Sequence, residues 1–191
     1  MPEVNVGVDT ARPKISEAET LFRRLVLQPS AARRRLLEDQ TFDDPELCRL
    51  LLEEVSDRVF HDPADALDLA GLACEVAKRL GDATWIFLAR LDLANALRIR
   101  GELKLSEEEI RQVEPMLARL PRQPLFEGRV CQVKASLATD RHQFARALEL
   151  AERALGFFRS AGEPRWICEA LVGKGHILAQ AELVGTYQKK R

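Results

Sequence analysis

Three histidines and four cysteines carry the most distinctive side-chain chemistry of this chain. Histidine is the commonest metal ligand and a frequent general base in enzymes. His61 and His142 lie 81 residues apart, and each is predicted to occupy a turn between two helices. The two histidines could bind a metal ion together, or each could cap a turn or lie on the surface. The second is favoured because two predicted helical hairpins separate them. His176 falls in the middle of the last predicted helix.

The cysteines form no CxxC pair and no zinc-binding spacing with histidine. All four lie in apolar helical runs, where a free cysteine behaves as a small hydrophobic residue. The pattern, with no signal peptide in view, predicts reduced thiols and a cytoplasmic location. The residues are Cys48, Cys74, Cys131 and Cys168.

No sequence motif of a known catalytic site is present. The chain contains no HExxH, no G-x-S-x-G and no glycine-rich phosphate loop. The segment Gly173-Lys174-Gly175 is too short for such a loop and lies on a predicted helix. We therefore predict that the protein is not an enzyme and needs no cofactor.

The composition predicts a helical protein without a nucleic-acid or membrane partner. Hydrophobic residues make up 46% of the 191 residues, charged residues 31% and aromatic residues only 6%. Abundant alanine and leucine favour closely packed helices. The net charge of −1 argues against a dedicated nucleic-acid binder. The sequence contains no run of about 18 consecutive apolar residues, so we expect no membrane-spanning helix.

A cluster of arginines near the N-terminus is the one local basic feature. We favour a solvated helix face for it, with the aliphatic stems packed along the surface. A contact with phosphate or an acidic partner is the alternative. The residues are Arg23, Arg24, Arg33, Arg34 and Arg35.

The chain repeats itself at an offset of 81 residues. His61 to Ala70 corresponds to His142 to Ala151, and Trp85-Ile86 corresponds to Trp166-Ile167. Such a period is typical of stacked helical modules, here two copies of about two 40-residue repeats. The matched tryptophans indicate packing between hairpins, with an aromatic ligand cage as the alternative.

Start and stop signals divide the chain into helices. Ser16, Asp44-Pro45, Asp62-Pro63 and Asp82 have the character of helix N-caps. Ser30 is expected to cap a second helix, and Ser106 to begin another through a capping box. Pro115 is expected to kink or split that helix. Gly173 and Gly175 suggest a close helix contact in the last one. The predicted helices cover about 15–28, 31–40, 45–60, 63–80, 83–100, 106–120, 125–139, 143–159 and 164–183.

The predicted fold is all-α, with about eight or nine helices paired as antiparallel hairpins in a short solenoid. Residues 1–13 are expected to form a flexible leader. Residues 14–43 would form an N-terminal hairpin or cap. Residues 44–191 would form the repeat array, ending in a capping helix.

The segment from Phe144 to Leu155 resembles the second helix of a tetratricopeptide repeat. That motif places an aromatic residue and then alanines at offsets of three, seven and ten. Phe144, Ala147, Ala151 and Ala154 fill these places, and Pro63, Ala66, Ala70 and Ala73 fill them in the earlier copy. The repeats are nearer 40 residues than 34, so the resemblance is to a degenerate form. The resemblance covers about residues 44–183. The chain as a whole also resembles bacterial cytoplasmic proteins in which such repeats serve sensing or regulation.

The resemblance implies a crossing residue in each first helix and a ligand groove along those helices. Ala94, Ala135 and Gly175 match the small crossing residue. Asn95 would bond to a peptide backbone, while Arg98 and Arg129 would suit an acidic segment or a C-terminal carboxylate. The implied groove residues are Asn95, Arg98, Arg129, Gln132, Ser136, Glu169, His176 and Gln180.

The sequence therefore predicts a scaffold that binds a protein or peptide partner on its concave face. Two alternatives stay open. One is a regulatory sensor that binds a small molecule or nucleic acid through the arginine cluster. The other is assembly of identical copies, because the last helix would either cap the stack or have its apolar face covered by another copy.

Overall fold

The computed structural model describes residues 16–38 and 44–189, and side chains as far as residue 184. Over these ranges the chain is helical, and no strand is present, which confirms the predicted all-α class. The predicted leader lies outside the described residues, as does the expected end of the second helix at Gln40. The helices are α1 (Glu17–Val26), α2 (Ser30–Glu38), α3 (Pro45–Arg58), α4 (Pro63–Leu80), α5 (Ala83–Ile99), α6 (Leu103–Val113), α7 (Pro124–Asp140), α8 (Phe144–Ala161) and α9 (Pro164–Lys189).

Four of the predicted N-caps are confirmed by hydrogen bonds to the first turn of a helix. Ser16 Oγ accepts from the backbone N–H of Glu19 at 3.0 Å, and Asp62 accepts from that of Asp65 at 3.1 Å. Asp44 and Asp82 act in the same way at α3 and α5. Ser30 is the first residue of α2, and its hydroxyl donates to Asp68 on α4 at 2.6 Å. It therefore ties α2 to the array.

Left-handed residues follow the C-termini of four helices. Gly81 and Gly162 have φ values of 66° and 68°, and Gly101 has a φ of 81°. The fourth such residue is His142, at φ 58°, which lies 41 positions after Gly101. Carbonyl groups in the last turn of each helix then accept hydrogen bonds from backbone N–H groups that follow the helix, as is usual where a helix ends at a residue with positive φ.

The helices form two layers. The inner layer consists of α3, α5, α7 and α9, in which each helix contacts the next one of the set. The helices α4, α6 and α8 fit between successive inner helices and pack against both neighbours. This is the repeat-like stack of antiparallel hairpins that the sequence predicted. The N-terminal pair extends it, with α1 on α3 and α2 on α4.

Small residues allow the helices to approach closely. Ala94 and Ala135, two of the predicted crossing residues, are buried at 0% and 3% exposure. Among the described glycines, the tightest contact is at Gly128 on α7, where an added Cβ would lie 2.5 Å from the ring of Phe158 on α8. The prediction of a close contact at Gly173 and Gly175 is wrong within the single chain. A Cβ at either position would meet no described atom within 4 Å.

The helix after Gly101 begins earlier than predicted. Its first residue is Leu103, so Ser106 lies inside α6 and caps nothing. Leu103 packs against Ala94, Ile110 and Leu137, and this apolar contact favours the earlier start. Ser106 is fully buried, and its hydroxyl has no hydrogen-bond partner among the described residues. The prediction for Pro115 is confirmed, because α6 ends at Val113 and a 3-10 turn follows over Glu114–Arg119.

The thiols are all free, and three are buried as predicted. Burial raises the pKa of Cys48 and of Cys74 to about 12. Cys168 is the exception, because it is exposed on α9. None of the helices in the described ranges has the length and apolar content needed to cross a membrane.

Candidate functional site: the inner face of the array

The name inner face is used for the polar side chains of α5, α7 and α9 that include the eight predicted groove residues. Two polar bridges cross this face between successive inner helices. Each bridge centres on one of the arginines predicted to bind a ligand, Arg98 or Arg129.

The first bridge joins α5 to α7 through Arg98. Its Nη1 contacts Asp140 Oδ2 at 2.8 Å, while its Nε and Nη2 donate to Asn95 Oδ1 at 3.1 and 3.0 Å. The Arg98 side chain is only 13% exposed. The carbonyl oxygen of Asn95 is therefore occupied. Among the described residues, the amide nitrogen of Asn95 makes no hydrogen bond, and it is the group of that side chain available to a ligand.

The second bridge joins α5, α7 and α9 through Arg129. Its Nη2 contacts Asp92 Oδ1 on α5 at 2.5 Å, and its guanidinium lies 4.9 Å from the centre of the Trp166 ring on α9. Burial raises the pKa of Asp92, although the charge and hydrogen bond of Arg129 oppose the shift. The arginine is thus held by a carboxylate on one side and an aromatic face on the other.

Gln132 and Ser136 occupy the part of α7 between the two arginine bridges. Both side chains are half-buried. Neither makes a hydrogen bond to another described residue, so both can donate to or accept from a ligand. They are neutral, and this distinguishes them from the paired charges on either side.

The predicted residues on α9 pair within their own helix. Glu169 accepts from Arg165 Nε at 3.0 Å. Gln180 Nε2 lies 3.0 Å from His176 Nε2 and donates to it when the histidine carries its proton on Nδ1. His176 is exposed and Gln180 half-buried. His176 lies two turns after Glu169 along α9, and Gln180 lies one turn after His176. In the described part of the chain, no hydrogen bond joins these three side chains to α7.

Three residues of the bridges lay outside the predicted groove set: Asp92, Asp140 and Trp166. The sequence contains a signal for the two carboxylates. Asp92 precedes Arg129 by 37 residues and Arg98 precedes Asp140 by 42, so opposite charges recur at about one repeat on neighbouring inner helices. Trp166 was predicted to pack between hairpins. This is confirmed, since its ring stacks on Phe158 with centroids 5.6 Å apart.

The other candidate residues occupy structural positions. His61 and His142 lie in the turns before α4 and α8, as predicted, and the His142 ring makes an edge contact with Phe144 at 5.8 Å. Trp85 is partly buried against the core. Within the described ranges, no group of three or more His, Cys, Asp or Glu residues is arranged to hold a metal ion.

The N-terminal arginine cluster is divided by the fold. Arg33 is buried at 3% exposure and bonds to Asp65 and Asp68 of α4 at 2.5 and 3.0 Å. It also donates to the backbone carbonyl of Leu25 at 3.0 Å. The solvated-face interpretation is therefore wrong for this arginine, which joins α1, α2 and α4. Arg24 remains exposed, as do Arg23, Arg34 and Arg35.

Depressions open on the surface of the described residues in at least two places. The larger, of about 570 Å³, is lined by consecutive residues of one turn, so it is the outside of a turn and not a cleft between elements. The smaller, of about 160 Å³, lies between α6 and α7. Four cations line it, and three of them, Lys134, Arg141 and Arg111, are paired with Glu114, Glu107 and Glu108. Neither depression resembles the enclosed apolar pocket typical of small-molecule sites.

The stacked hairpins and their bridged inner face define an all-α, repeat-like protein. No family model matches the chain, and a search of curated proteins finds no match. The resemblance to tetratricopeptide repeats stays a prediction.

Proposed function

We propose that the protein is a non-enzymatic, tetratricopeptide-like scaffold that binds an extended peptide or protein segment on its inner face. The observation that carries the proposal is the succession of contacts among α3, α5, α7 and α9, which creates one continuous surface from separate hairpins. Arrays of this kind bind partners along the surface shared by their repeats.

The state of the two arginines changes the partner chemistry that we propose. An acidic ligand would have to displace Asp140 from Arg98 or Asp92 from Arg129, because both guanidinium groups already have carboxylate partners. The groups that remain available are neutral. An extended segment recognised through its backbone amides fits Gln132, Ser136 and the amide nitrogen of Asn95 better than an acidic side chain does.

A displayed library of short peptides, selected on the immobilised full chain, tests this function. We expect selected peptides to bind the Q132A/S136A variant at least about fivefold more weakly, since each lost hydrogen bond contributes about 0.5–1.5 kcal/mol. The control is Ser160→Ala, which alters an exposed serine on the outer helix α8. Equal binding to all three proteins would show that the inner face is not the binding surface.

A further variant tests the proposed chemistry of the partner. Asp140→Asn removes the carboxylate that occupies Arg98. If the natural ligand is recognised through its backbone, this change leaves its affinity nearly unaltered. A marked gain in affinity for acidic peptides would instead support the acidic partner that the sequence suggested.

A cytoplasmic location is part of the proposal. Its support is the state of Cys48, Cys74, Cys131 and Cys168, which are free thiols with no disulfide among them. Proteins in reducing compartments retain such thiols.

A further inference from the structure

Helix α9 is apolar on its solvent side as well as on its packed side. Ala170 and Ile177 are buried against the array. Four of the seven exposed large apolar side chains in the described ranges also lie on α9. A surface helix ordinarily carries polar residues on that side, and exposed apolar patches mark interaction sites. The four are Leu171, Val172, Leu178 and Leu183, with exposures of 47%, 74%, 43% and 61%.

The same face is covered by a helix in the earlier copy of the repeat. At the 81-residue offset, Val172, Gly175 and Leu178 correspond to Leu91, Ala94 and Leu97 of α5, which are 0%, 0% and 7% exposed. Leu91 and Ala94 pack in clusters with Val113 and Ile110 of α6. This face of α9 is therefore shaped to receive a helix.

The exposed residues of α9 are arranged symmetrically about Gly175. Val172 and Leu178 lie three positions before and after it, and Leu171 and Ala179 lie four before and after it. All five are exposed, and Gly175 has open space at its Cβ position. We infer that this face binds a second copy of the same chain, with the two α9 helices antiparallel and crossing at Gly175. A two-fold axis then places Val172 of each copy against Leu178 of the other.

The charges at the ends of this face favour the antiparallel arrangement. Arg165 lies ten residues before Gly175, and Glu182 lies seven after it. At 1.5 Å per residue, an antiparallel crossing brings Arg165 of one copy within about 4.5 Å of Glu182 of the other along the axes. A parallel pair would place like charges together. Both groups already have partners within their own copy, Glu169 in the case of Arg165. Arg165 is 75% exposed, so it can exchange one exposed partner for another.

Cysteine cross-linking of the full chain in a Cys168→Ser background tests the crossing point. A cysteine on the two-fold axis meets its own equivalent, so Gly175→Cys is expected to give a covalent dimer under mild oxidation. Gly173→Cys is the matched control, because it lies two positions away, equally open but on another side of α9. Cross-linking that is equal at both positions, or absent at Gly175→Cys, overturns the inferred geometry.

Sedimentation equilibrium over a range of concentrations tests the association itself. The wild-type chain is expected to dimerise, and Val172→Asp to raise the dissociation constant by about tenfold or more, since it buries a charge against Leu178. Because Val172 is 74% exposed, the variant should keep its helical circular dichroism. R165E and E182R should each weaken the dimer, and the double charge swap should restore it.

A chain that stays monomeric at every concentration overturns the proposal and leaves a different protein as the occupant of this face. Dimers that are insensitive to Val172→Asp overturn it as well. The peptide selection on the inner face is independent of both results, because Gln132 and Ser136 lie on α7 and take no part in the α9 contact.

Discussion

Gly128 of α7 lies directly against the aromatic ring of Phe158 of α8. A Cβ built on Gly128 would be 2.5 Å from Cε1 and 2.7 Å from Cδ1 of that ring. Phe158 is fully buried and stacked on Trp166, so the ring cannot move aside without disturbing α9. Among the described glycines, the tightest contact is thus between a first helix and its partner.

We expect Gly128→Ala to lower the free energy of unfolding by about 1–2 kcal/mol, because the cost of overpacking exceeds the gain in helix propensity. Chemical denaturation measures the change. Gly156→Ala is the control, since its Cβ would meet no atom within 4 Å and it lies inside α8. That variant should be as stable as the wild type or gain up to about 1 kcal/mol. A loss that is the same in both variants would point to the unfolded chain as its origin.

His142 occupies a left-handed position that Gly101 fills one repeat earlier. An L-residue with a side chain is strained there by about 1–2 kcal/mol. We expect His142→Gly to stabilise the protein by about 0.5–1 kcal/mol after loss of the contact with Phe144. The reciprocal change Gly101→His should destabilise it by about 1 kcal/mol. Thermal unfolding of the two variants gives the comparison, and shifts in the same direction would refute the explanation.

The buried hydroxyl of Ser106 has no hydrogen-bond partner among the described residues, so its removal should be favourable. We expect Ser106→Ala to raise the free energy of unfolding by about 1 kcal/mol, through lower desolvation cost and better helix propensity. Ser160→Ala on the surface of α8 should change it by less than about 0.5 kcal/mol. If Ser106→Ala is destabilising, a bound water must satisfy the hydroxyl, and a high-resolution crystal structure would show it.

The ion pair between Asp65 and Arg33 predicts an acid-sensitive contribution to stability. Burial tends to raise the pKa of Asp65, but Arg33 and Arg58 outweigh it and hold the pKa below its usual value. A lowered pKa in the folded state gives stability that is complete above the unfolded pKa of about 3.9. It is lost as the pH falls through the lower folded pKa.

Asp65→Asn should therefore lower the free energy of unfolding at pH 7 by about 2–3 kcal/mol, because Arg33 stays buried with less compensation. The gap between variant and wild type should shrink below about pH 4. Denaturation at a series of pH values measures it, and Asp57→Asn, at an exposed site on α3, serves as the control. A gap that stays constant with pH would exclude the ion pair as its source.

Thiol reactivity should separate Cys168 from the three buried cysteines. Burial raises the pKa of Cys48, Cys74 and Cys131, so these thiols are both protonated and shielded. A native chain treated with a maleimide should gain one adduct by mass spectrometry, and a denatured chain four. Cys168→Ser should gain none while folded. Rapid labelling of a second cysteine in the native state would indicate local opening of the array.

The helix boundaries were predictable where a local signal decides them. Asp44-Pro45 and Asp62-Pro63 start helices through a side-chain cap and a residue that needs no N–H partner, and neither depends on the rest of the fold. Ser106 failed as a signal because tertiary packing of Leu103 overrides a local capping pattern. Propensity yields to burial in such cases.

The inner face was only partly predictable because the groups that pair with its arginines lie on different helices. The periodic pattern places Arg98 and Arg129 on the first helices of their hairpins, which the structure confirms. It does not show that Asp140 and Asp92 would be within reach, since that depends on how neighbouring hairpins are rotated. The predicted helix contact at the glycines of α9 was wrong within the chain for a related reason. A glycine in the sequence shows that a helix face permits close approach, but it does not show which element approaches.

The length of the inner helices limits the length of peptide that the proposed binding surface can contact. Helices α5 and α7 contain 17 residues each, with their ends fixed by the turns at Gly101 and His142. At 1.5 Å per residue they are about 25 Å long. An extended peptide advances about 3.3 Å per residue, so a ligand aligned with them spans roughly seven or eight residues. The recurring turns thus fix the length of peptide that can lie along one inner helix. An added hairpin would make the binding surface wider but would not let it contact a longer peptide.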